Sequence, residues 1–452
     1  MSFPPYRDYK ESGVEWLGEL PAHWEVTKLG STLIEPPCYG VLVPDFDPDG
    51  IPMLRITDID RGRAERAALV TISEALSRLY MRSVVQQGDV ALSVVGTIGE
   101  AIKIDRELAG VNLSRAVARL QPSGKMSADF MCWMFQSIPF RRFVDLVCVG
   151  TAQRVLNMSD LSSFRFGLPS ADEQSAIAAF LDREAAKIDA LVVEQTRLIN
   201  LLTEKRHAVV SHAVTKGLDP NAPMKNSGVE WLGEVPERWA VARLKRISPE
   251  ITVGIVVEPS KYYVDDGVPA LRSLNIRQGA VDTKECVFIS AEANDFLKKS
   301  QLRKGDLVAV RTGQPGTTAV IPPELDGCNC IDLIIIRKPE AGSERYLCWY
   351  LASDIAVRQF AEGSGGAIQQ HFNVSTAMDL VVTWPSASEQ DAIAAFLDTV
   401  TSHIDELSAD AQTAIDLLQE RRAALISAAV TGKIDVRGLA KRTTPAPDVV
   451  AA

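Results

Sequence analysis

A chain of 452 residues, 46% of them hydrophobic, is long enough to bury several cores, so about two to four domains are expected. The formal net charge of −10 excludes a protein that is basic throughout, although a single face can still be basic enough to bind nucleic acid. No apolar run reaches the length of about 18 residues that a membrane span needs, so no membrane partner is expected. The seven cysteines are scattered without a CxxC pair, which is typical of reduced thiols in a cytoplasmic protein.

The first feature in chain order is a short block that returns about 215 residues later. Residues 12–19 read SGVEWLGE and recur letter for letter at 227–234, with a Pro and a Trp following at matching offsets. A second block, 168–191, returns with few changes at 384–407. The regions between these blocks have diverged. The sequence therefore predicts two copies of one module, each with a shared frame and its own insert.

The two inserts are predicted to be compact units of mixed helices and strands. Short apolar runs that start after a Gly-Asp pair predict buried strands, and helical periodicity follows them in both copies. The predicted strands are 89–95, 101–104 and 116–120 in the first copy and 306–311, 317–321 and 331–337 in the second; the helical stretches are 127–137, 140–147 and 343–360. The fold class expected is α+β.

Each repeated block predicts a long helix. A Pro followed by Ser-x-x-Glu marks both starts, at 169–173 and 385–389, and Gly217 and Gly432 mark the ends. Apolar residues three and four apart predict a coiled-coil seam, with the two helices packed antiparallel as a spacer. The seam residues are Ile177, Leu181, Ile188, Leu191, Leu198 and Leu202 in the first helix and Ile393, Leu397, Ile404, Leu407, Leu418 and Leu425 in the second.

The frame, the insert, the block PSAxEQxAIAAFLD and the long helix, all occurring twice, resemble the specificity subunits of type I restriction-modification enzymes. The resemblance extends over about residues 6–437. It implies a subunit without catalytic activity that directs methylation and restriction to a DNA site. Two target recognition domains would each read one half of a bipartite, asymmetric site, and the two helices would separate them in a pseudo-twofold arrangement.

This resemblance also implies a division of the chain and a set of partners. The expected regions are the N-terminal frame with the first target recognition domain at 1–168, a first helical region at 169–219, the second frame and recognition domain at 220–384, a second helical region at 385–437 and a disordered tail at 438–452. The partners implied are double-stranded DNA, two methylation subunits and motor-nuclease restriction subunits. The resemblance also implies that the two long helices, with the seam residues named above, dock the methylation subunits. S-adenosylmethionine, ATP and Mg²⁺ are then expected on those partners, with no cofactor on this chain.

The residues themselves favour a protein that is not an enzyme. No GxxxxGK[ST] loop is present to bind nucleotide phosphates, and the histidines form no metal-ligand motif. Cys328 and Cys330 lie close in sequence but lack the second pair that a zinc site needs, so buried thiols are expected there. No catalytic or metal-binding residue is predicted.

Base recognition requires side chains that match base edges, such as Arg for guanine and Asn or Gln for adenine. Turn-rich segments of both inserts carry such residues. The candidates are Arg55, Arg61, Arg63, Arg66, Gln153 and Arg154 in the first insert and Arg272, Asn275, Arg277, Gln278, Arg311, Gln314, Gln369 and Gln370 in the second. Arg55 and Arg272 occupy matching positions, which favours a shared structural or phosphate-binding role over base recognition.

Two alternatives remain open at this point. A coiled-coil assembly scaffold whose inserts bind proteins would carry the same helices. A system that methylates DNA without cutting it would use the same kind of specificity subunit.

Overall fold

The computed structural model describes residues 3–59, 62–148, 154–312, 316–362 and 373–439. The chain forms two compact units, Met1–Gln195 with Thr413–Ala452 and Thr196–Gln412. Each unit therefore combines one insert with a part of each long helix. Residues 440–452, most of the tail predicted to be disordered, lie outside the described residues.

The first copy of the module builds the strands and helices that precede and include the first long helix. These are β1 (Tyr9–Glu11), β2 (Glu19–Pro21), β3 (Glu25–Lys28), β4 (Cys38–Tyr39), β5 (Phe46–Leu54), β6 (Val70–Ile72), α1 (Glu74–Leu79), β7 (Val90–Ser93), β8 (Ala101–Lys103), β9 (Asn112–Leu113), β10 (Val117–Leu120), α2 (Ala128–Phe135), α3 (Ile138–Val147), α4 (Met158–Ser163), β11 (Arg165–Leu168) and α5 (Ala171–Lys216).

The second copy repeats this order with an additional hairpin. Its elements are β12 (Met224–Asn226), β13 (Glu234–Pro236), β14 (Ala240–Arg243), β15 (Ile251–Val253), β16 (Tyr263–Val264), β17 (Val268–Leu271), β18 (Ile276–Arg277), β19 (Ala280–Val281), β20 (Val287–Ile289), α6 (Ala291–Phe296), β21 (Leu307–Val310), β22 (Thr318–Val320), β23 (Asn329–Cys330), β24 (Leu333–Ile336), α7 (Glu344–Leu351), α8 (Asp354–Glu362), α9 (Val374–Asp379), β25 (Val381–Trp384) and α10 (Ala387–Val430).

Two small sheets form the body of each insert. In the first unit a four-stranded antiparallel sheet has the order β4-β10-β7-β8, and a second sheet has the order β6-β5-β9. The second unit has the matching orders β15-β24-β21-β22 and β16-β20-β17-β23. The central strands β7 and β21 are buried at every residue, as a short continuous apolar run predicts. The mixed fold agrees with the predicted fold class.

The long helices begin and end close to the predicted residues. At the start of α5, Ser170 Oγ accepts a hydrogen bond from Glu173 N at 3.4 Å, and the Glu173 carboxylate accepts one from Ser170 N at 3.2 Å. This reciprocal capping satisfies backbone donors of the first turn. Gly217 and Gly432 follow the two helices with φ of 78° and 69°, the left-handed conformation in which glycine is favoured.

The helical stretch predicted over 343–360 is two helices, α7 and α8. Ser353 separates them: its hydroxyl donates to Tyr350 O at 2.6 Å and accepts from Ala356 N at 3.4 Å. A serine that caps a new helix competes with continuation of the preceding one, which the apolar periodicity alone did not reveal. Within the described part of the chain, no helix is both long and apolar enough to cross a bilayer.

Along both long helices a series of buried residues is spaced by 11, and it lies beside the predicted seam residues Leu181, Leu202 and Leu397, which are also buried. Ile393, Ile404, Ile415 and Ile426 are buried along α10, and Ile177, Ile188 and Val210 are buried along α5. An 11-residue repeat corresponds to about 3.67 residues per turn, so a heptad pattern drifts away from it. The seam expected at Leu191, Leu198 and Leu407 is therefore wrong: these three leucines are exposed.

Candidate nucleic-acid interface

Corresponding buried residues hold each insert against the start of the long helix that follows it. Gln174 Oε1 accepts from Ser127 N at 2.7 Å, and Gln390 Oε1 accepts from Ser343 N at 2.7 Å. The Gln174 amide also donates to Pro169 O, as the Gln390 amide does to Pro385 O. The glutamine of each repeated block is thus a structural connection between insert and helix.

A second matched contact is a pair of tryptophan clamps, defined as Trp133, Asp182 and Arg422 in the first unit and Trp349, Asp398 and Arg206 in the second. The indole Nε1 donates to the aspartate Oδ1 at 2.9 Å and 2.7 Å, respectively. An arginine lies over each ring, 5.6 Å and 5.7 Å from its centroid. The tryptophan clamps line clefts of about 780 and 1220 Å³. Sequence reasoning missed them, although both tryptophans follow a cysteine at the same offset in the repeat.

Matching arginines in the two inserts organise their own turns. The Arg55 guanidinium bonds Asp58 at 2.7 and 3.1 Å, and this ion pair raises the pKa of Arg55. Arg272 occupies the corresponding turn, where its backbone N–H donates to Asn275 Oδ1 at 2.8 Å and its guanidinium donates to Glu285 O. Asn275 itself is buried. The side chains of Arg55 and Arg272 are thus engaged within their own turns.

Two further candidates in the first insert also have internal partners. Arg66 Nη1 donates to the carbonyl oxygens of Glu107 and Ala109 at 2.8 and 3.0 Å. Arg154 bonds Asp145 at 2.6 Å on an exposed surface. In both cases the side chain is at the surface but already bound, so a base contact would require these bonds to break.

The remaining described candidates are more accessible. Arg63 and Arg277 are exposed. Gln278 is half-buried, with its Oε1 accepting from Thr318 N at 3.2 Å. Arg311 forms an ion pair with Asp332, whose side chain is partly exposed. The other candidates, Arg61, Gln153, Gln314, Gln369 and Gln370, lie outside the described residues.

The helix residues predicted to dock partners divide by exposure. The buried members are Ile177, Leu181, Ile188, Leu202, Ile393, Leu397 and Ile404, and the half-buried ones are Leu418 and Leu425. Leu191, Leu198 and Leu407 project from the helices into solvent. Only exposed side chains are available to another subunit, so the docking prediction now rests on these three leucines.

The cysteines show the environment of packed thiols. Burial raises the pKa of Cys328 to about 12 and also raises the pKa of Cys330, whereas a metal ligand must lose its proton. Within the described residues, no group of three or more His, Cys, Asp or Glu side chains is placed to hold a metal ion.

A surface missed by the sequence reasoning lies where the two sheets of each insert meet. Leu42 and Val43 are exposed in the first unit, and Val256 and Val257 are exposed at the corresponding place in the second. A short sequence similarity within the diverged inserts could have indicated this surface. Both pairs follow a glycine and a β-branched residue that is buried, Val41 or Ile255.

The sequence was compared with those of known proteins. No protein-family model matches it. The specificity subunit of the type I restriction enzyme EcoBI from Escherichia coli is 29% identical over 240 residues, which are 51% of this chain and 48% of that subunit. The MjaVIII specificity subunit from Methanocaldococcus jannaschii is 21% identical over 456 residues, 95% of this chain and 98% of that one. The chain thus matches about half the length of the first relative and nearly the whole of the second.

Solved structures share the fold. A chain from a study of complex assembly and conformational transition in the type I restriction-modification system aligns with a TM-score of 0.65 at 16% identity, covering 92% of this chain and 99% of that chain. The HsdS subunit from Thermoanaerobacter tengcongensis aligns with a TM-score of 0.50 at 16% identity, covering 92% and 98%. The duplicated frame and these matches along its length make the chain similar to the specificity subunits of type I restriction enzymes.

Proposed function

We propose that this chain is the DNA-recognition subunit of a type I restriction-modification complex, without catalytic activity of its own. It binds a bipartite, asymmetric site on double-stranded DNA and directs the methylation and restriction subunits to it. One observation carries the proposal: the same buried contacts occur in both units, whereas the exposed side chains of the two inserts differ. A shared frame with two different surfaces is what recognition of two unlike half-sites requires.

Each insert acts as one target recognition domain, at 1–168 and 220–384. Among the described candidates, Arg63 and Arg277 are exposed and suit contacts with base edges or phosphates. Arg55, Arg66, Arg154 and Arg272 have internal partners and support the surface around them. The candidates at 61, 153, 314, 369 and 370 remain part of the proposal.

The helical regions at 169–219 and 385–437 act as an antiparallel coiled-coil spacer that fixes the unread gap between half-sites. This assignment is supported by the continuity of α5 and α10, which are 46 and 44 residues long. At 1.5 Å per residue, each extends about 65–70 Å, roughly the length of two turns of B-DNA.

The same helices dock two methylation subunits, and restriction subunits complete the complex. Leu191, Leu198 and Leu407 are exposed apolar side chains on these helices and supply the contacts. Each exposes apolar surface to water in the free chain, and burial of that surface in a complex contributes favourable free energy. S-adenosylmethionine, ATP and Mg²⁺ belong to the partner subunits.

The test is to map methylated adenines in a genome that expresses this chain with its methylation subunits. The expected result is one motif with two specific segments of unlike sequence and a fixed gap. Methylation without a bipartite motif, together with no specific DNA protection by the complex, would favour an assembly scaffold. Cleavage of unmethylated plasmid carrying the motif then separates a restricting system from one that only methylates.

A further inference from the structure

The exposed aliphatic residues of each insert stand on the same backbone frame in both units. Val41 pairs with Ser114 in a parallel bridge, and Arg115 N donates to Val41 O at 2.8 Å. In the second unit Ile255 pairs with Ile331, and Asp332 N donates to Ile255 O at 3.0 Å. Arg115 and Asp332 therefore occupy equivalent positions beside the two aliphatic pairs.

A glycine permits the close approach that creates this frame. A Cβ at Gly40 would lie 2.0 Å from Leu113 O, and a Cβ at Gly254 would lie 2.5 Å from Cys330 O. Any other residue would push the two crossing segments apart. Both inserts have kept this constraint while their surface residues diverged.

We name each of these surfaces a reading tip. The first reading tip consists of Leu42, Val43 and Arg115, and the second consists of Val256, Val257, Arg311 and Asp332. Leu42 and Val43 are 58% and 71% exposed, and Val256 and Val257 are 49% and 67% exposed. Single exposed aliphatic residues are common, but an adjacent pair at the same place in both copies points to a surface that another molecule covers.

Backbone strain is concentrated at the second reading tip. Among the described residues, the non-glycine residues with positive φ are Glu258, at 43°, and Asp332, at 51°. Glu258 directly follows the exposed valines, and Asp332 belongs to the reading tip itself. The left-handed conformation is costly for residues with a Cβ and tends to occur at binding sites, where it aims a side chain.

The charges of the reading tips differ between the units. The first adjoins a depression of about 600 Å³ whose described lining includes Arg55 and Arg115 and no carboxylate. Because Arg55 is bonded to Asp58, Arg115 is the exposed guanidinium that a ligand meets there. The second reading tip presents Asp332 in an ion pair with Arg311.

We infer that the two reading tips enter the DNA grooves and that Arg115 and the Arg311–Asp332 pair determine which bases are accepted; this rests on the proposed function. Arg115 has the donor geometry for guanine O6 and N7, so the first half-site contains a guanine at the contacted position. In the second, Arg311 donates to guanine and Asp332 accepts from N4 of the paired cytosine, so that position is a G·C pair. The aliphatic pairs contact apolar base edges such as thymine methyl groups.

The test is a selection of binding sites from a random DNA library by the full chain in complex with its methylation subunits. Arg115→Ala should reduce the preference for guanine at one position of the first half-site by about five- to 150-fold, the loss expected for one bidentate base contact. The second half-site should not change. Asp332→Ala should relax one position of the second half-site alone. Arg142→Ala removes an exposed arginine on α3 and serves as the control with no change.

The outcomes separate the inference from the proposed function. If the wild-type complex selects no bipartite site, the proposed function is refuted. If it selects one and Arg115→Ala selects the same site with equal preference, the reading tip is refuted. A uniform loss of affinity across all sequences also refutes it, because that is the behaviour of a phosphate contact.

The aliphatic pairs require a variant of their own. Leu42→Ser with Val43→Ser should weaken binding to the selected site at least tenfold, while the melting temperature of the chain stays unchanged because both side chains are exposed. Unchanged binding would show that the pair does not touch DNA. A lowered melting temperature would also overturn the assignment, because it would show that the pair stabilises the fold.

Discussion

The two units share buried contacts at equivalent positions and carry unlike residues where they meet solvent. Gln174 accepts from Ser127 N in the first unit and Gln390 accepts from Ser343 N in the second, both at 2.7 Å. Each unit also bonds a buried aspartate, Asp89 or Asp306, to an arginine at 2.6 Å, although the two arginines, Arg119 and Arg337, stand two positions apart in the matching strands. At the reading tips, by contrast, Arg115 corresponds to Asp332, a reversal of charge at the equivalent position. The contrast indicates that after duplication the packing constrained one set of positions and left the other set able to change.

The largest predicted effect comes from a change in the long helices, because each unit contains a part of both. Inserting seven residues, about two turns, into both helices after Gln195 and Gln412 should widen the gap between half-sites by about 10 Å, or roughly three base pairs. The two half-sites should keep their sequences. A site selection with the lengthened chain measures both quantities, and an unchanged gap would contradict the spacer.

The matched control for that insertion has nine residues in each helix. At 100° per residue, nine residues rotate the buried stripe by about 180° and expose its isoleucines, whereas seven rotate it by only about 20°. The nine-residue chain should therefore lose cooperative thermal unfolding although its length differs little. Equal melting of the two chains would contradict the role of the buried stripe.

The buried ion pairs give the next largest effect. Asp306→Ala removes the buried carboxylate that bonds Arg337 at 2.6 Å and leaves Glu250 as its carboxylate partner at 3.7 Å. This change should cost about 3–5 kcal/mol of stability, as should Asp89→Ala in the other unit. Urea denaturation followed by circular dichroism measures this loss. Glu74→Ala removes an exposed pair with Arg78 and should cost at most about 0.5 kcal/mol. A loss for Asp89→Ala or Asp306→Ala no larger than that for Glu74→Ala would contradict a stabilising role of the buried carboxylate.

Local sequence patterns predicted the bounds of the long helices. The Ser170–Glu173 cap and the glycines after both long helices act over a few residues, so their spacing predicted the helix bounds within a residue or two. The exposure of Leu191 and Leu198 was missed because heptad and 11-residue patterns separate only after several turns.

The candidate site was less predictable because it depends on distant contacts. The partner of Arg66 is the backbone at Glu107 and Ala109, and nothing near Arg66 in sequence indicates it. Leu42 and Val43 were not selected because the candidates were chosen among Arg, Asn and Gln side chains that match base edges. Their exposure follows from the crossing at Gly40, which is a tertiary feature.

A smaller effect distinguishes the first frame from the second. Burial opposes ionisation of Glu173, but hydrogen bonds from His23, Ser170 and Trp24 lower the pKa of this carboxyl below its ordinary value. A lowered folded-state pKa stabilises the protein above the unfolded pKa, and the contribution is lost as pH falls through the folded value. Glu173→Gln should therefore make stability less dependent on pH below about 4.5.

The corresponding change in the second frame, Glu389→Gln, provides the comparison. Ser386 Oγ accepts a hydrogen bond from Glu389 N at 3.4 Å, and the position equivalent to His23 is Arg238 in the second frame. Thermal melting between about pH 3 and 6 should show a larger change for Glu173→Gln than for Glu389→Gln. If the two variants show the same pH dependence of stability, the hydrogen bond from His23 does not lower the pKa of Glu173 enough to affect stability.

Whether each insert recognises its half-site independently is tested most directly with a chain that carries the first insert twice. In this chain residues 30–167 also replace residues 245–383. If one frame presents two independent readers in a pseudo-twofold arrangement, the complex of this chain with its methylation subunits should select a site whose two halves are inverted copies of the first half-site. Selection of the original asymmetric site by this chain, or of a site in which neither half matches the first half-site, would contradict the account.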